Sequence, residues 1–159
     1  MTQETQYLSL KSASVDKMSE RSIGKIHYRV LTDLNHQSLF FILTGNDDGG
    51  HFSPELIPFE RVEQCLLGLE PNTAIFSKVF AKAFISRSAN NAGFLAAVLR
   101  AEHLISPKVD AVRKHSVLPG WDGWKETLLA ENCKWGQTTF NPAHNGCYVK
   151  CLCFSCIKV

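Results

Sequence analysis

Four thiols crowd the end of the chain. Cys147, Cys151, Cys153 and Cys156 fall within ten residues, with His144 just before them and Cys133 upstream. Thiolates and an imidazole are the usual ligands of tetrahedral zinc, so this cluster is one candidate metal site. Its spacing is not the two C-x-x-C pairs separated by a loop that make a zinc assignment specific. On an extended chain Cys151 and Cys153 point to one face and Cys156 to the other. A free cysteine also serves as a small buried hydrophobe. Residues 141–159 therefore read as a Cys-rich tail that binds zinc, forms an edge strand or is disordered. Zinc is the one cofactor the sequence brings into view.

A second candidate combines bases with amides. Between Phe76 and Ile105 the sequence reads as two amphipathic helices separated by a polar break that ends in Ser88-Ala89-Asn90-Asn91. A helix-turn-helix places the start of its second helix in the major groove. Asparagine there can pair with adenine, while arginine and lysine reach phosphate. On that reading Lys78, Lys82, Arg87, Asn90, Asn91 and Arg100 are the DNA contacts. The run Leu99-Arg100-Ala101-Glu102-His103-Leu104-Ile105 resembles the end of a recognition helix in winged-helix regulators, which implies duplex DNA as partner. The competing explanation is structural: the apolar positions pack a core corner and the asparagines cap a helix. The sequence pI of about 8.2 is below that of dedicated nucleic-acid domains.

Trp121 and Trp124 form a third candidate. They stand three apart in a turn-rich stretch, where large aromatic side chains anchor an interface or close a core. The turn Asn46-Asp47-Asp48-Gly49-Gly50 lacks the spaced ligands and closing glutamate of a calcium loop, and it lacks the lysine of a phosphate loop. It reads as a hairpin tip. Cys65 adjoins Leu66 and Leu67, which favours burial over reactivity. No G-x-S-x-G, H-E-x-x-H, G-x-x-x-x-G-K or paired-carboxylate motif is present, so the expectation is a protein without enzymatic activity.

Several elements must position these groups. Lys25–Thr32 alternates Ile26, Tyr28 and Val30 with Lys25, His27 and Arg29, the period of a half-buried strand. Ser38–Thr44 is apolar on both faces, as a central strand would be. A third strand near His51–Ser53 or Leu56–Ile57 completes an antiparallel meander. Helices are expected from Pro58 to Leu67, over Ala74–Phe84, from Asn91 to Ile105, from Ser106-Pro107 to Lys114, and over Trp121–Glu131. Residues 1–22 read as a flexible leader with at most a short strand at Gln6–Leu10, and 23–140 as one domain. The expected fold is α+β: an N-terminal antiparallel sheet of about three strands packed against a C-terminal cluster of four to five helices.

Composition narrows the function class. A hydrophobic content of 45% with 20% charged residues is that of a folded globular chain rather than a disordered one. No apolar run reaches the roughly 18–20 residues needed to span a bilayer, and the N-terminus lacks the apolar centre of a signal peptide. A cytoplasmic protein without a membrane partner is expected. The net charge of +2 conceals segregation: residues 45–76 hold six acids against Arg61, and residues 77–115 hold seven bases against Glu102 and Asp110. Such asymmetry favours steered association with a charged partner. The expected function is that of a small non-enzymatic accessory protein that binds another macromolecule, namely another protein or a second copy of itself. A DNA-binding regulator and a zinc-stabilised module are the alternatives.

Overall fold

The computed structural model of the protein describes residues 6–19, 21–70, 73–108, 111–131, 138–141 and 146–148. Four strands, β1 (Tyr7–Asp16), β2 (Lys25–Thr32), β3 (Leu39–Asn46) and β4 (Ile57–Pro58), pair in succession as antiparallel neighbours. Two further strands, β8 (Thr138–Asn141) and β9 (Gly146–Tyr148), extend this sheet past β1, giving the order β4-β3-β2-β1-β8-β9. A second, three-stranded sheet is built from β5 (Ala74–Phe76), β6 (Ile105–Lys108) and β7 (Ala111–Val117), with β7 in the middle. The helices are α1 (Phe59–Gln64), a 3-10 helix over Ser77–Ala83, α2 (Asn91–Ala101) and α3 (Trp121–Glu131).

This corrects the expected architecture. The helical half is not a cluster of four to five helices, because much of it is a second sheet. Ser106-Pro107 carries the signature of a helix start, yet Ser106 and Pro107 pair with Ser116 and His115 of β7. β6 is an edge strand, where proline's missing N–H costs no ladder bond. The expected helix over Ala74–Phe84 is a strand followed by a 3-10 helix. Its burial shows why: Phe80 and Ala83 are buried while Phe76 is 55% exposed, so the inward period is three rather than the α-helical 3.6. Within the segment read as a leader, Tyr7–Asp16 is a ten-residue strand paired along β2.

The first sheet separates two apolar layers. Ile26, Tyr28, Val30, Leu39, Phe41 and Leu43 face the main core, while Leu31 and Ile42 on the opposite face make a small cluster beneath Tyr7, Phe40 and Leu56. α2 lies within the main core and packs on β1, β6 and the 3-10 helix. Seven of its eleven residues are buried, more of its circumference than the single stripe of a surface helix. Its small residues Ala92, Ala96 and Ala97 permit that close approach. The indoles of α3 close the same core: Trp124 stacks on Phe41 at 5.7 Å and on Phe59 at 5.2 Å, with Trp121 5.5 Å from Phe59.

Candidate binding cleft at the head of α2

The loops at the head of α2 are tied together by polar side chains. Asn91 is buried; its Oδ1 accepts from the Ser53 amide at 3.0 Å, and its Nδ2 donates to Ser53 Oγ at 2.9 Å and Ser86 Oγ at 3.2 Å. Asn90 Nδ2 and Ser88 Oγ both donate to the His51 carbonyl, each at 2.9 Å. The Glu55 carboxylate accepts from the Ile85 amide at 2.7 Å. Asn90 occupies the N-cap position of α2, but no side chain caps the helix and no acid sits in its first turn. The asparagines thus clamp two loops together instead of capping. The positive end of the helix dipole is met by no cap and by no acid of its own first turn.

That end opens on a cleft of about 1240 Å³, walled by the β1–β2 connection, the 3-10 helix, the loop 84–90 and the first turn of α2. Lys17, Arg21, Lys78 and Arg87 line it, and among the described residues no aspartate or glutamate does. Lys17 is committed elsewhere: its Nζ lies 3.0 Å from Asp48 Oδ2 and 5.8 Å from the centre of the Phe94 ring. Arg21, Lys78 and Arg87 are exposed and make no ion pair among the described residues. Met18, Phe84, Ile85 and Phe94 contribute an apolar lining between them. Gly93 also borders the cleft, and a Cβ added there meets no atom within 4 Å. The close packing that would explain a helical glycine is absent at that position.

Of the residues singled out as DNA contacts, Lys78, Arg87, Asn90 and Asn91 come together at this cleft. Lys82 and Arg61 instead each act on buried Cys65, and Arg100 acts on buried His115. The helix pair that a helix-turn-helix needs is not formed, and α2 is too enclosed to enter a groove. Trp121 and Trp124 are half-buried against Phe59 and Phe41 rather than displayed as interface anchors, and the Trp121 indole donates to the Leu104 carbonyl at 3.0 Å. Cys147 lies on β9, whose side chains are not described, and Cys151, Cys153 and Cys156 lie outside the described residues. Among the described residues no group of three His, Cys, Asp or Glu side chains is placed to hold a metal ion. Nothing in the sequence marked Lys17 and Arg21, because both fall in the segment read as a leader.

A second polar cluster lies at the other end of α2. The Glu102 side chain is 4% exposed, and Lys11 Nζ reaches its two oxygens at 2.7 and 3.0 Å. The Tyr28 hydroxyl donates to Oε1, and the Trp124 indole donates to Oε2 at 3.2 Å. Burial, reinforced by the adjacent carboxylate, raises the Tyr28 phenol well above its ordinary value, which keeps it a donor. A carboxylate at a helix C-terminus opposes the dipole; donors from β1, β2 and α3 offset that here. On the surface, the hydrogen bond from His27 at 2.6 Å and that from the Lys25 amide hold the Asp47 carboxyl below its usual range, fastening the turn after β3 to β2.

Comparison with protein-family models, with curated proteins and with solved structures finds no match for this chain. Among the described residues no helix is long and apolar enough to cross a membrane.

Proposed function

We propose that this is a small accessory protein of the cytoplasm that binds an acidic segment of a partner protein in the cleft at the head of α2. One observation carries the reading: Arg21, Lys78 and Arg87, from three separate segments, line one open cleft, and among the described residues no aspartate or glutamate lines it. Bases scattered only to solvate a surface would be interspersed with acids. Here they share a concavity with the uncapped positive end of α2. The apolar lining from Phe84, Ile85 and Phe94 suits a peptide with alternating acidic and apolar side chains. Duplex DNA calls for a protruding element that reaches base edges or tracks phosphates, and these bases line a recess. The partner is another protein or a second copy, whose own stretch 45–76 carries net −5.

The test is fluorescence anisotropy with a short labelled peptide alternating Glu with Leu and Phe. Wild-type protein should bind it with an affinity that falls as salt is added. The triple variant Arg21→Glu, Lys78→Glu, Arg87→Glu should bind about tenfold or more weakly, roughly 1.4 kcal/mol. Equal affinity of the folded triple variant would sink the reading. Light scattering after size exclusion separates self-association from a foreign partner.

A further inference from the structure

The wall of the cleft carries a chemistry that its charge does not use. Ser77 opens the 3-10 helix and lines the cleft, and its Oγ lies 2.8 Å from Nε2 of His115. That is the reach a nucleophile and its general base require. His115 is fully buried on the central strand of the second sheet, opposite Ile75 of β5 and Pro107 of β6, so its ring is fixed. Burial first, and the Arg100 cation second, lower its affinity for a proton; at neutral pH it is an uncharged imidazole with a lone pair. Its other nitrogen, Nδ1, is buried without a hydrogen-bond partner among the described residues. An unpaired buried nitrogen opposes folding, and a catalytic role is one explanation for such a group.

We infer that Ser77 and His115 form a nucleophile–base dyad opening on the cleft, which takes carboxylic esters bearing an anionic group. Ser77 Oγ bonds to the ester carbonyl carbon as its proton passes to Nε2 of His115. The bond from that carbon to the alcohol oxygen breaks, and the alcohol leaves with the proton. Water then adds to the acyl-Ser77 by the same path, its proton passing through His115, and the carboxylic acid is released. Arg87 and Lys78 line the same cleft and supply the charge that holds the anionic end of the substrate. Among the described residues no carboxylate accepts from Nδ1 of His115 to stabilise its protonated form, and Arg100 opposes that form. The dyad therefore favours activated esters and deacylates slowly. The expected absence of enzymatic activity rested on motifs, and two residues 38 apart make no motif.

Full-length protein treated with a fluorophosphonate probe should carry one adduct on the peptide containing Ser77, absent in Ser77→Ala. An activated ester with a free carboxylate should acylate the protein faster than p-nitrophenyl acetate, an advantage lost in Arg87→Glu. His115→Gln should slow labelling about 100-fold or more. Because that variant sits in the core, the pH profile of the wild type provides the independent readout: labelling should slow as His115 gains a proton, on the acid side of its ordinary 6.5 and over the acid range in which the protein stays folded. A folded wild type with no adduct on Ser77, or labelling that is flat across that range, would overturn the dyad. Neither result touches peptide binding, which depends on Arg21, Lys78 and Arg87.

Discussion

At the C-terminal end of α2 the Glu102 carboxylate takes donors from three different elements, whereas at the N-terminal end three exposed cations make no ion pair among the described residues. Both ends gather polar side chains onto one helix, but they settle their charges in opposite ways. Glu102 is nearly sealed from water, so each of its donors must be present and the cluster acts as a rivet between sheet, α2 and α3. The head of α2 is open, its loops are clamped by Asn90, Asn91 and Glu55, and its free bases contribute nothing to that clamp. Satisfied and buried polarity accounts for structure. Exposed, one-signed polarity in a rigid recess is left over for binding.

The sharpest way to break this contrast is to remove Glu102. Glu102→Ala strands the Tyr28 hydroxyl and the Trp124 indole in the core, and should lower stability by about 2–4 kcal/mol, read from urea unfolding. In a folded preparation it should leave peptide affinity unchanged. Charge reversal at Arg21, Lys78 and Arg87 should do the converse, weakening the acidic peptide about tenfold while shifting stability by no more than about 0.5 kcal/mol. If the two sets of variants exchange effects, the division between rivet and cleft is wrong.

Titration separates the two regions as well. The folded value of His115 lies below its ordinary 6.5, so at mildly acid pH the unfolded chain binds more protons than the folded one. Its contribution is fully present above pH 6.5 and is lost as pH falls below it. Tyr28 shifts upward, so its contribution is present below about pH 10 and is lost as pH rises further. Thermal unfolding against pH should therefore decline on both sides, with the acid limb flattened in His115→Gln and the alkaline limb in Tyr28→Phe. The smallest expected effect belongs to Gly93. A Cβ there meets open space, so Gly93→Ala should stabilise α2 by about 0.5–1 kcal/mol. A loss of peptide affinity in the same variant would show that the cleft uses the approach the glycine leaves open.

The parts of the fold legible in the sequence were those with an unbroken period. Ile26, Tyr28 and Val30 alternate without interruption, and β2 spans Lys25–Thr32 as that alternation requires. Trp121–Glu131 likewise reads as the helix it forms. β1 was hidden by its own irregularity. Its pairing with β2 shifts between Ser9 and Lys11, so inward residues change from Leu8 and Leu10 to Ala13 and Val15, and a period-two pattern is lost. With β1 read no further than Leu10, Lys17 and Arg21 had no place to belong. Ser77–Ala83 was misread because apolar residues three apart satisfy both helix periods over a short run. In the site, the bases were visible as a charge imbalance, while their convergence depends on contacts far apart in sequence, such as Ser53 with Asn91.

The cleft is tested most directly by nuclear magnetic resonance, titrating the isotopically labelled full chain with the Glu/Leu/Phe peptide. Amide shifts should concentrate at residues 17–22, 77–78 and 86–94, spare Lys11, Tyr28 and Trp124, and vanish in the triple charge-reversal variant. Shifts centred on another surface, or unchanged in that variant, would contradict a binding site at the head of α2.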